Sequence, residues 1–139
     1  MDIDDPAFGG EAPLEIAHFS GPGYRGCRLT GEIDFTSTGP LQATLSGMIL
    51  PGGGTVLVDL TEVTFIDSSG LGALVQAHRT AEAQQTRLLL VTSPAVRRVL
   101  QVTGLSEVLD SRDDMAAAED AVAAADQVSG APPSRPPGA

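Results

Sequence analysis

The chain predicts an α/β domain: a mixed β-sheet that opens with a hairpin, with helices packed against it in the order β-β-α-β-α-β-α-β-α. Three observations predict it. Strand and helix patterns alternate through most of the 139 residues. Two of the strands are apolar runs of the kind that parallel sheets bury on both faces. The first two strands are separated only by Gly21-Pro22-Gly23, a turn that brings the chain back on itself.

Leu14 to Phe19 alternates apolar and polar side chains, and Tyr24 to Ile33 follows the turn as the second arm of the hairpin. A helix pattern starts near Thr38, with Pro40 in its first turn, where a missing N–H costs nothing. Leu41, Leu45, Met48 and Ile49 share one face of it, and Pro51-Gly52-Gly53-Gly54 ends it. Thr55-Val56-Leu57-Val58-Asp59-Leu60 reads as a central strand. A second helix runs from Ser69 to Ala83, with Leu71, Leu74, Val75 and His78 on one face.

Arg87 to Val91 is another buried strand. Ser93 then stands as N-cap before Pro94, and Val96, Val99 and Leu100 make the inward stripe of a third helix that Gly104 stops. A short strand is expected around Val108-Leu109. Ser111-Arg112-Asp113-Asp114 reads as a capping box for an Ala-rich helix reaching about Asp126. The folded domain is expected over residues 14–127. An acidic tail precedes it (1–13) and a Pro-rich, disordered tail follows it (128–139).

Composition narrows the function. The net charge is −10, from 18 acidic and 8 basic residues, and every basic residue is Arg. A polyanion needs neutralising cations facing it, so nucleic acid is not an expected partner, nor is an acidic membrane surface. Aromatics make up only 4%, with no Trp, so there is no platform for stacking bases. The single Cys27 cannot form an internal disulfide and reads as a small buried apolar group. With only two histidines beside it, no metal set and no cofactor motif emerge. The glycine run at 52–54 lacks the Lys and Ser/Thr of a phosphate-binding loop. The start has neither the positive charge nor the apolar run of a signal peptide, and no stretch is long enough to span a membrane. The expected location is the cytoplasm.

One segment stands apart: Val63-Thr64-Phe65-Ile66-Asp67-Ser68-Ser69-Gly70-Leu71-Gly72, between the central strand and the second helix. Its plain reading is a well-capped helix, with serines and Asp67 satisfying free N–H groups and Gly70 and Gly72 leaving the first turn uncovered. Its sharper reading is a phosphate site, where a phosphoryl group on serine meets unpaired N–H groups and the positive end of the helix dipole. A serine hydrolase is the competitor. His78 lies ten positions after Ser68 on one helix, about 15 Å away at 1.5 Å per residue. Ile66 also stands where a nucleophile elbow needs glycine. His18 is geometrically free but has no supporting motif.

Asp67-Ser68-Ser69-Gly70-Leu71-Gly72, the strand Val56 to Leu60, and Ser93-Pro94-Ala95-Val96-Arg97-Arg98-Val99-Leu100 together resemble the STAS domain of bacterial anti-sigma factor antagonists. Leu29-Thr30-Gly31-Glu32-Ile33-Asp34 and Thr103-Gly104-Leu105 are similar to two further signatures of that family. The resemblance implies a switch by partner exchange. The unphosphorylated protein binds an anti-sigma factor that is also a serine kinase, freeing a sigma factor. The kinase then phosphorylates the serine after the aspartate, and a phosphatase of the PP2C type removes the phosphate.

Carried over by motif, the acceptor is Ser68, flanked by Asp67, Ser69 and Gly70, and no residue is catalytic. The partner surface expected around it comprises Thr36, Ser37, Thr38, an exposed Leu71 and Gly72. The plain alternative for Leu71 is a place in the core. Departures from the family are modest: longer ends, and Ala77, Ala81 and Gln84 where bulkier apolar residues are usual. The alternative function is a STAS interaction module that is never phosphorylated, serving a transporter or a stressosome-like scaffold.

Overall fold

A computed structural model describes residues 13–130, with side chains as far as residue 125. The expected acidic tail lies outside the described residues except for Pro13, and the Pro-rich end does so from residue 131. The elements run β1 (Glu15–Gly21), β2 (Tyr24–Ile33), α1 (Thr38–Met48), β3 (Thr55–Ile66), α2 (Ser68–Ala83), β4 (Arg87–Thr92), α3 (Pro94–Thr103), a 3-10 turn (Leu105–Glu107), β5 (Ser111–Arg112) and α4 (Met115–Gly130).

The sheet is five-stranded in the order β1-β2-β3-β4-β5, so each strand lies beside its neighbour in sequence. β1 and β2 pair antiparallel as the tight hairpin dictates, with Gly21 opposite Tyr24. The other pairs are parallel, each joined by a helical crossover.

Alternation along the strands divides the core. Cys27, Leu29 and Ile33 on β2, Val56, Val58 and Leu60 on β3, and Leu88 and Leu90 on β4 face one side, where Leu41 and Leu45 of α1, Ala73 and Leu74 of α2, and Val96 and Leu100 of α3 cover them. Leu57, Leu89 and Val91 face the other side and meet Ala118 and Val122 of α4. Three helices therefore cover one face and one covers the other. Cys27 is fully buried as expected, and burial, then the nearby Asp59 carboxylate, push its thiol up to about 12.

Four boundaries differ from expectation, each for a physical reason. β3 continues past Leu60 to Ile66, taking up one extra residue between Asp59 and Glu62 and another between Val63 and Phe65 as bulges, so that it stays paired with β2 to Ile33. The buried Asp59 carboxylate within that strand is met by Arg28 Nε at 2.9 Å and by the Thr61 hydroxyl and N–H. The strand expected at Val108-Leu109 is not there. Left-handed Gly104 (φ 78°) leads into the 3-10 turn, Leu109 drops into the core, and β5 comes later with only two residues. The last helix is capped by Asp114, whose carboxylate accepts the Ala117 N–H at 2.8 Å, while Ser111 is spent in β5. That helix runs on through residues 128–130, expected as tail, since no breaker precedes Gly130.

Candidate functional site

The ends of β2 and β3 lie side by side, and the Asp67 N–H donates to Ile33 O at 3.1 Å just beyond the last paired residues. Two loops leave the sheet there: residues 34–37 leading to α1, and Asp67 leading to α2. In a parallel sheet this carboxyl end of the strands is where crossovers leave a crevice.

Asp67 is the N-cap of α2 in extended conformation, and its carboxylate accepts the Gly70 N–H at 3.0 Å and the Ser69 hydroxyl at 2.6 Å. The Ser69 hydroxyl above all, then the Gly70 N–H, with lesser help from the N–H groups of Ser69 and Phe35, holds the Asp67 carboxyl below its ordinary range. Gly70 is required by packing: a Cβ there would lie 2.6 Å from Ile33 Cγ2 and 2.8 Å from Ile66 Cγ1. Gly70 thus presses α2 onto the sheet and does not keep the turn open; Gly72 is the exposed one.

Ser68 is the first residue of α2 and exposed, and the cap is made by the carboxylate before it. The hydroxyl at position 68 is therefore free of the capping role that the plain reading gave the serines. His78 sits further along the same helix with Nε2 at 3.4 Å from Glu82 Oε2, so its neighbour is that carboxylate.

Two residues expected on the partner surface are inside. Leu71 is 8% exposed and packs in the main core, because at the fourth position of α2 it shares the inward face with Leu74. Ser37 is 7% exposed; its hydroxyl accepts the Asp34 N–H and donates to Asp34 O, both at 2.9 Å, and so closes the β2–α1 turn. Thr36 is exposed and held by Asp34 Oδ1, Thr38 is half-buried, and Gly72 is exposed. Sequence reasoning missed Phe35, 75% exposed, and Phe65, 47% exposed, which flank the same loops. For Phe35 the available signal was a phenylalanine beyond the end of a strand, where alternation no longer assigns it to a face; Phe65 lies inside β3, in the part that the sequence did not mark as strand.

A cleft of about 360 Å³ lies beside the β2–α1 loop, between Leu14 and Ile16 on one side and Glu32, Asp34, Thr36 and Pro40 on the other. Among the described residues, no cluster of three His, Cys, Asp or Glu side chains could hold a metal ion. No described helix is long and apolar enough to cross a membrane.

Comparison with known proteins places this geometry. The chain is 34% identical over 92 residues to the anti-sigma F factor antagonist of Lysinibacillus sphaericus, covering 64% of this chain and 79% of that one. It is similar to the solved anti-sigma factor antagonist SpoIIAA in its unphosphorylated form, at 27% identity and a TM-score of 0.59 over 85% of this chain and 97% of the other. It is also similar to Bacillus SpoIIAA in the phosphorylated form, at 26% identity and a TM-score of 0.57 over 78% and 99% of the two chains. The family profile described as the STAS domain matches residues 22–119. The chain belongs to the STAS domain family.

Proposed function

We propose that the protein is an anti-sigma factor antagonist that binds an anti-sigma factor with serine kinase activity while Ser68 is unphosphorylated, releases a sigma factor, and is switched off by phosphorylation of Ser68. The observation that carries the reading is the position of Ser68: exposed at the first turn of α2, with the cap supplied by Asp67. A hydroxyl needed for capping would be engaged; this one is free to react. Names among the relatives support the same class of function, and a relative solved in a phosphorylated form supports a covalent switch.

In the modification step the Ser68 oxygen attacks the terminal phosphorus of ATP bound to the partner. The bond to the ADP oxygen breaks, and the hydroxyl proton passes to a base of the partner. The product adds close to two negative charges beside Asp67, in a molecule already at −10. The N-terminus of α2 offsets part of that charge in the free protein. A partner surface fitted to a neutral hydroxyl has no such compensation, so affinity falls. A PP2C-type phosphatase restores the binding form. The STAS module that is never phosphorylated is the weaker reading, since it gives the exposed Ser68 hydroxyl no role.

Phosphopeptide mass spectrometry on the protein recovered from its native host across growth phases tests this. Phosphate on Ser68 with occupancy that varies is the expected result; no phosphate under any condition overturns the switch.

A further inference from the structure

Of the four phenylalanines, Phe19 packs against the second core beside Tyr24, whereas Phe35 and Phe65 stand out in solvent. The two exposed rings belong to the same end of the sheet. Phe35 lies in the β2–α1 loop, two residues beyond Ile33, whose partner at the end of β3 is Ile66. Phe65 is three residues before Ser68 and is paired with Glu32 on β2. Neither ring is needed to fill the core, and exposed aromatic surface of this kind marks docking sites.

We propose that Phe35 and Phe65 are the apolar anchors on which the kinase partner docks when it reaches Ser68, the partner being a protein whose surface there is basic around apolar recesses. The proposal rests on the reading of Ser68 as phosphoacceptor. Its first argument is steric. Transfer requires the reacting atoms to come within about 3–3.5 Å, so the partner must cover the start of α2 and reach over the adjoining ends of β2 and β3, from which the two rings project. Its second argument is charge. Glu32, Asp34 and Asp67 lie among these loops in a strongly acidic chain, so the complementary surface is positive. Large rings supply contact area at low entropic cost, and the surrounding carboxylates set register.

The test uses the full chain, incubated with ATP and soluble extract of the native host, with the Ser68 phosphopeptide quantified over time. Phe35→Ala and Phe65→Ala are compared with Leu50→Ala and Val108→Ala, which remove exposed apolar side chains outside this loop cluster. The expected result is a loss of initial rate on the order of tenfold or more for each Phe variant, near wild-type rates for the controls, and recovery with Phe35→Leu. Equal rates for all variants and wild type overturn the anchor and leave the phosphoacceptor reading standing. An equal loss in the controls overturns it too. If the wild-type chain is never phosphorylated, that earlier reading fails and the anchor fails with it. Should Phe65→Ala lower the melting temperature, Phe35, three-quarters exposed, carries the test.

Discussion

The starts of α2 and α3 are built from the same ingredients and used in opposite ways. Both helices follow a parallel strand, β3 or β4, and both open on a polar N-cap. At α3 the cap is Ser93, buried, with its hydroxyl donating to Val63 O at 2.8 Å and accepting the Val96 N–H at 3.2 Å. Pro94, next in line, has no N–H to satisfy. At α2 the cap is the Asp67 carboxylate, and the serine next in line faces water. With aspartate in place of serine at the cap, the residue after it is released from capping, and where α3 has Pro94, α2 has a serine with an available hydroxyl.

The largest effect that sharpens this comparison is on binding. Ser68→Asp places a permanent charge where the partner expects a hydroxyl, and capture of the anti-sigma factor from host extract should fall about a hundredfold, whereas Ser68→Ala should capture as well as wild type. Stability should show the reverse preference. Ser93→Ala orphans a buried N–H and a buried carbonyl, so urea unfolding should report a loss of about 2–3 kcal/mol. Ser68→Ala, which removes no cap, should stay within about 0.5 kcal/mol of wild type. A large loss for Ser68→Ala would mean that its hydroxyl is structural after all.

The glycines beside the acceptor give the next contrast. Gly70→Ala drives a Cβ into Ile33 and Ile66, and should cost about 1–3 kcal/mol in the same unfolding measurement. Gly72→Ala meets nothing within 4 Å and should stabilise the helix by up to about 1 kcal/mol. If the two substitutions cost the same, α2 does not approach the sheet through Gly70.

Much of this was legible in the chain. The hairpin turn, the caps at Ser93-Pro94, the stop at Gly104 and the apolar cores of β3 and β4 are each set by a few adjacent residues, and the structure has them where local chemistry puts them. What was not legible depends on partners distant in sequence. Asp59, Thr61 and Glu62 look like the end of a strand until Arg28 and the pairing of a bulged β3 with β2 are known to accompany them. A two-residue strand such as β5 has no period to read. Ser37 and Leu71 were expected at the surface because they neighbour the acceptor. The first is turned inward by Asp34 and the second by the face it shares with Leu74. The acceptor motif itself was visible; which of its residues caps the helix was not, since Asp, Ser and Ser are all good caps and only backbone geometry chooses.

That choice has its own signature in pH, the smallest of the expected effects. The Ser69 hydroxyl and the Gly70 N–H hold the Asp67 carboxyl below its ordinary range, so its charged form is favoured by the folded state. A group depressed on folding contributes stability that is present above its unfolded value, about 3.9, and lost as pH falls through its folded value. Asp67→Ala should therefore cost about 1 kcal/mol at pH 7. The gap between mutant and wild type should stay level down to about pH 4 and narrow below it. Ser93 has no proton to gain, so the cost of Ser93→Ala should not change over the same range. A gap at Asp67 that stays constant into strong acid would show that its carbonyl geometry, and not its charge, holds the start of α2.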